Sequence, residues 1–206
     1  MKIRQIMQSL AMSLVLIFFL CPAPSSGTSI PVDLTDGFVV SWVDDVEFGP
    51  DINQATLYED PFTGTTFLSN DPFLDDPGIY ISPLAVTLSL DLEFFTTGSD
   101  NFEFLILDPL GGTDFYSFFH DGILKGPGTF NYSKSIDLLS LGVLDSIIGL
   151  EFVMTSNFLD DNEVFDARLS ISNLNINQVP EPTTIMLFGT GLLGLLVLRR
   201  KIKVDQ

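Results

Sequence analysis

Cations are scarce in this chain of 206 residues: nine Lys and Arg stand against 27 Asp and Glu, for a formal net charge of −18. That balance excludes a nucleic-acid partner, because phosphate binding needs clustered Lys and Arg. It also repels anionic membrane surfaces and attracts cations. Histidine occurs once, at His120, so no His-containing zinc spacing exists and a catalytic triad has a single available base. His120 ends an apolar run, Phe118-Phe119-His120-Asp121-Gly122, and reads as a turn-capping or half-buried structural residue. No Gly-x-Ser-x-Gly elbow and no P-loop occur. Cysteine also occurs once, at Cys21. An amphipathic helix of ordinary length is missing, which argues against an α/β fold.

The two ends carry address signals. Lys2 and Arg4 precede an apolar run from Ile6 to Leu20, followed by Pro-Ala-Pro-Ser-Ser-Gly, the pattern of a secretory signal peptide over residues 1–27 with cleavage expected between Pro24 and Thr28. Cys21 follows Phe18-Phe19-Leu20, which does not suit lipidation. Cleavage beyond Cys21 leaves a mature chain without disulfide or thiol, stabilised by packing alone. At the other end, residues 183–198 form 16 uncharged positions. At about 1.5 Å rise per residue they fall somewhat short of a hydrocarbon core of roughly 30 Å. Snorkelling by Arg199, Arg200, Lys201 and Lys203 absorbs the difference. Basic residues after the span place the preceding domain outside the cytoplasm. Pro180 and Pro182 remove two N–H donors and hold the segment before the span extended and open to a processing enzyme.

The order Val179-Pro180-Glu181-Pro182, Thr183-Thr184, a span with Gly189, Gly191 and Gly194, then Arg199-Arg200-Lys201, resembles the PEP-CTERM sorting tail of Gram-negative bacteria that make extracellular polysaccharide. The resemblance covers residues 179–206 only. It implies processing by an exosortase at the inner membrane, transient membrane anchoring, and delivery to the cell surface or the medium. Gly189-x-Gly191-x-x-Gly194 is formally a dinucleotide fingerprint, but the strand, crossover helix and downstream acid that it requires do not fit before the chain ends.

Between the ends lies one domain-sized stretch, residues 28–178. Its only basic residues are Lys125, Lys134 and Arg168, against 25 acids (27 less Glu181 and Asp205), a net charge of −22. It nonetheless holds 16 of the 19 phenylalanines, Trp42 and all four tyrosines, far too much apolar material for a disordered segment. Period-two alternation gives a strand over Leu84–Phe95 with Leu84, Val86, Leu88, Leu90, Leu92 and Phe94 inward. Ile148, Leu150, Phe152 and Met154 mark another. A third runs from Phe165 to Ile176, its phase slipping at Asn173 as a β-bulge does. Phe38–Val43, Phe102–Leu107, Phe115–Phe119 and Thr129–Tyr132 add shorter runs. Asp108-Pro109-Leu110-Gly111-Gly112, His120-Asp121-Gly122 and Gly126-Pro127-Gly128 supply turns, and Leu138–Leu144 holds one helical turn. The expectation is an all-β, jelly-roll-like sandwich of about eight to ten strands, with a less regular, proline-bearing stretch from Asp44 to Pro83 of the kind that carries function.

Acidic clusters at Asp44-Asp45, Glu47 and Asp51, at Asp71, Asp75 and Asp76, and at Asp160-Asp161-Asn162-Glu163 with Asp166 suggest calcium as a possible ligand. None has EF-hand spacing, and solvated acidic loops are the preferred explanation of them. No other cofactor is expected, and no catalytic residue is assigned. A carboxylate pair for glycoside hydrolysis stays open, because the separation it needs, about 5–10 Å, is invisible in sequence. Asn131-Tyr132-Ser133 matches the N-glycosylation pattern, which carries little weight in a bacterial chain. The reading is an exported, non-catalytic surface or matrix protein associating with polysaccharide, with Trp42, Tyr58, Tyr80 or Tyr116 stacking on sugar rings. A glycan-processing enzyme and a purely structural biofilm matrix protein are the alternatives.

Overall fold

The structure, a computed structural model of the chain, describes residues 27–156 and 165–179. The expected span 183–198, Pro180-Glu181-Pro182, Arg199-Arg200-Lys201 and all of the expected leader except Gly27 lie outside them. Among the described residues no helix is long and apolar enough to cross a membrane. Thr28–Gln178 forms one compact unit, and every strand among the described residues belongs to it.

Among the described residues twelve strands form two antiparallel sheets. The first runs β10 (Gly128–Asp137), β7 (Ala85–Thr96), β12 (Arg168–Gln178), β4 (Ala55–Tyr58) and β3 (Val46–Phe48), with β1 (Thr28–Pro31) also on β12. The second runs β2 (Val39–Val40), β5 (Thr65–Asn70), β11 (Ser146–Thr155), β8 (Asn101–Leu107) and β9 (Tyr116–His120), with β6 (Ile79–Ile81) also on β11. β4 and β1 share one edge of β12, pairing with residues 168–171 and 175–178 respectively. β5 and β6 share an edge of β11 in the same way. Gly149 stands at that changeover, where a Cβ would lie 2.5 Å from the Asn70 carbonyl oxygen and 3.0 Å from Leu107 Cβ.

The inward side chains of both sheets merge into one core. Leu88, Leu90, Leu92 and Phe94 of β7 face Phe102, Phe104, Leu150 and Phe152 of the second sheet, all nearly or fully buried. Phe94 meets Phe102 across the sandwich at 4.9 Å, and Phe104 stacks on Phe152 at the same separation. Each such side chain contributes roughly 1.5–3 kcal/mol by burial, which explains how a domain of this charge folds without a cross-link.

The all-β expectation holds, and so does the bulge. Ser172 pairs with Asp91 but Asn175 with Ser89, leaving Asn173 at φ 53° with its amide donating to Asp91 at 2.7 Å. That left-handed conformation is one Asn tolerates better than most residues. Leu138–Leu141 forms the expected helical turn, α2, capped by Asp137, and Asp108–Gly112 joins the β8–β9 hairpin.

Other expectations need correction. Val86 is exposed and Ala85 buried, because Asn177 pairs with Thr87 while Gln178 pairs with Ala85, so a second irregularity shifts the alternation at Val86. Phe165 is exposed and precedes its strand. The run Phe38–Val43 keeps only the two-residue β2. His120-Asp121-Gly122 is no tight turn: Asp121 caps a one-turn helix, α1 (Gly122–Lys125). The irregular stretch from Asp44 to Pro83 contains β3, β4, β5 and β6, strands of three to six residues, too short between prolines to show a period.

Candidate functional site

Two neighbouring segments cross between the sheets side by side. One runs from β2 through the 3-10 turn Val43–Asp45 into β3; the other runs from β4 through residues 60–64 into β5. β2 pairs with β5 and β3 with β4, so the crossings must lie together. Between them is a pocket of about 420 Å³ lined by Trp42, Asp44, Asp45, Asp60, Pro61 and Phe62, a size within the usual range of ligand sites.

Local chemistry builds both walls. Asp60 is 2 % exposed and accepts from Phe62 N at 2.8 Å and Thr63 N at 3.2 Å, and from the Thr63 hydroxyl, while its carbonyl accepts from Gly64 N. This is an Asx-type turn, and it throws the Phe62 ring outward, 93 % exposed. The Thr63 hydroxyl, then the Phe62 amide, hold the Asp60 carboxyl below its ordinary value. On the other wall Trp42 is extended, precedes the 3-10 turn and leaves its side chain 60 % exposed. Asp45 is half-buried, and burial, with the charges of Asp60 and Asp44 behind it, raises its pKa. Two exposed rings thus flank three carboxylates. Rings of this kind stack on flat apolar faces, and carboxylates accept hydrogen bonds from hydroxyl or ammonium groups.

Of the four aromatic residues singled out in the sequence, Trp42 is in this pocket. Tyr58 is exposed on β4, its hydroxyl donating to Glu47 at 2.8 Å. Tyr80 donates to Asp145 at 2.7 Å and lines a second hollow of about 310 Å³ that also holds Asp33, Asp36 and Asn70. There Asp33 is already engaged by Thr35 and Asn70 by Gly78 N, so fewer polar groups remain free. Tyr116 is half-buried and packs 6.0 Å from Phe104; burial raises its pKa, and it is no open platform. Phe62 and Asp60 went unread in the sequence, although Asp60-Pro61-Phe62-Thr63-Gly64 carries a turn signature.

The acidic clusters serve mostly as local acceptors. Asp51 accepts from the Gln54 amide, Asp71 caps the 3-10 turn Pro72–Leu74 while Asp76 accepts from Asp71 N, and Asp166 accepts from Thr97. Asp160-Asp161-Asn162-Glu163 lies outside the described residues. Among the described residues no group of three His, Cys, Asp or Glu is arranged to hold a metal ion. Glu59 is buried, accepting from Ala167 N at 3.1 Å and from the Ser156 hydroxyl; burial raises its pKa. Its partners tie β4 to the segments on either side of residues 157–164, a structural role.

His120 is fully buried, not half-buried. It stacks on Phe102 at 5.3 Å and meets Phe94, Phe130 and Tyr132 edgewise or tilted, remote in sequence from every pocket residue and used for packing.

No curated protein matches the chain. Among solved structures the chain is similar to CBM27-1 of Caldicellulosiruptor saccharolyticus in complex with mannohexaose, at 14 % identity over 75 % of this chain and 98 % of that one, TM-score 0.38. It is likewise similar to CBM28, a carbohydrate-binding module specific for non-crystalline cellulose, at 12 % identity over 71 % and 92 %, TM-score 0.40. A third is the agarase AgWH50C, at 16 % identity over 73 % of this chain but 26 % of that one, TM-score 0.44. At such scores these likenesses carry no functional argument. The tail gives a firmer result: residues 178–201 match the PEP-CTERM protein-sorting motif.

Proposed function

We propose that the chain is an exported, non-catalytic cell-surface or extracellular-matrix protein whose β-domain binds carbohydrate at the Trp42–Phe62 pocket. Sorting is assigned to the tail, with Val179-Pro180-Glu181-Pro182 as the recognition motif and Arg199-Arg200-Lys201 holding the span 183–198 in the inner membrane until an exosortase-type enzyme acts. Polysaccharide is the expected partner because a protein delivered there meets a matrix of it.

The observation that carries the binding reading is the pair of exposed aromatic residues, Trp42 and Phe62, lining one pocket with Asp44, Asp45 and Asp60. Leaving an indole and a phenyl in water at a concave site is costly unless something covers them, and sugar rings offer both an apolar face to stack and hydroxyls for the carboxylates. Among the described residues the core runs from Val32 to Ile176 and Thr28–Gln178 is one compact unit, which makes residues 28–178 the segment to test. The test is affinity electrophoresis of that segment through gels holding the producer's exopolysaccharide or defined glycans. Retardation that is abolished by Trp42→Ala and Phe62→Ala supports the reading. Mobility unchanged in every glycan, or sugar release during the run, refutes it.

A further inference from the structure

We infer that this pocket selects sugars bearing free amino groups, so that its ligand is a cationic glycan and not a neutral or anionic one. The inference rests on the carbohydrate-binding reading above and adds the ligand's charge.

Three carboxylates line the pocket, and no basic residue among the described residues does. The domain's only cations are placed elsewhere, each over an aromatic ring: Lys134 Nζ 3.4 Å from the centroid of Phe118, Lys125 Nζ 5.3 Å from that of Tyr132, and Arg168 Cζ 4.9 Å from that of Phe95. Asp60 is satisfied by its own turn and stays ionised. Asp44 and Asp45 receive no such hydrogen bonds from the described residues. Half-buried Asp45 sits in the field of both neighbours, which raises its pKa.

A uronate or sulfated sugar entering here would meet uncompensated like charge. A neutral sugar would satisfy some carboxylate oxygens but leave the charge unbalanced. Among the described residues no three His, Cys, Asp or Glu side chains are arranged to hold a metal ion, and calcium dependence is one of the outcomes tested below. A protonated amine on a sugar ring balances the charge, donates to two carboxylates, and places its cation beside the faces of Trp42 and Phe62, where aromatic rings attract it. Stacking and charge then act on the same ligand.

The test is calorimetric titration of residues 28–178 at about pH 5.5, where sugar amines are protonated and ordinary aspartates ionised. Five probes are compared: the β-1,4-glucosamine hexamer, its fully N-acetylated counterpart, cellohexaose, an oligogalacturonate and oligolysine. The glucosamine hexamer should bind at least about tenfold tighter than the other four, and its affinity should fall steeply with added salt. Asp44→Asn with Asp45→Asn should weaken it by about tenfold or more with the melting temperature retained, and Trp42→Ala should do so independently. Equal affinity for the N-acetylated hexamer or cellohexaose overturns the inference and leaves the carbohydrate reading standing. Oligolysine binding as tightly as the glucosamine hexamer overturns it in favour of a polycation site, and so does binding that requires calcium and is lost with chelator. Silence with every sugar sinks the carbohydrate reading as well.

Discussion

The imidazole Nδ1 of His120 and the hydroxyl of Tyr132 lie 2.7 Å apart, joining β9 at the end of one sheet to β10 at the end of the other. Lys125 Nζ donates to the same hydroxyl at 3.1 Å, so the Tyr132 oxygen holds both side chains. The other ring nitrogen, Nε2, is buried with no hydrogen-bond partner among the described residues and lies among aromatic rings that offer it only their faces and edges.

Burial, then the Lys125 charge, lowers the His120 pKa below its usual 6.5. The neutral ring therefore favours folding above that value, and the contribution is lost as pH falls through 6.5 toward the folded pKa. As the chain's only histidine, it gives a single unambiguous NMR titration. The expected midpoint is below 6.5, and a midpoint at or above it contradicts the placement. Tyr132→Phe, which strands Nδ1, is expected to cost about 1–3 kcal/mol in denaturant unfolding.

Gly149→Ala should destabilise by about 1–3 kcal/mol, an overpacking cost. The new methyl would meet the Asn70 carbonyl, Pro72 Cδ and Leu107 Cβ, all within 3.0 Å, at the one place where β6 gives way to β5. Urea unfolding midpoints measure it; a wild-type midpoint would show that the close approach is absent.

Glu59 is a carboxylate with a raised pKa, chiefly from burial. Its protonated form therefore adds stability below its unfolded value near 4.5, and this is lost as pH rises through the folded pKa. Relative to Glu59→Gln, the wild-type protein should lose stability as pH is raised from about 4 to 7. Melting curves of both proteins across that range check the sign. A difference independent of pH would mean that Glu59 ionises as freely as in the unfolded chain.

Sorting makes a mass prediction. The mature protein should lack everything beyond the Pro180-Glu181-Pro182 region, together with the leader. An intact mass that retains residues 183–198 would be incompatible with processing at that motif.

Much of the fold was written locally. Leu88, Leu90, Leu92 and Phe94 alternate with short polar residues, and alternation over that length has only one half-buried solution. The slip of phase at Asn173 could be read because a bulge moves the inward set by one residue. The sorting motif at residues 178–201 was legible for a simpler reason: its prolines, apolar run and terminal charges follow one another in linear order. The irregularity at Val86 was not legible, since Ala85 and Val86 are both apolar and only the pairing of Gln178 chooses between them.

The site belongs to the tertiary structure. Trp42, Asp44 and Asp45 stand some fifteen residues before Asp60 and Phe62 in the chain. They meet because β2 pairs with β5 and β3 with β4, so that two crossings between sheets run side by side. Sequence alone determined an acidic, cysteine-free, phenylalanine-rich β-domain followed by a sorting motif. Which acids would be consumed as turn acceptors, and which would line a pocket beside an exposed indole, was decided by pairing over long range, where backbone hydrogen bonds fix neighbours that no local period encodes.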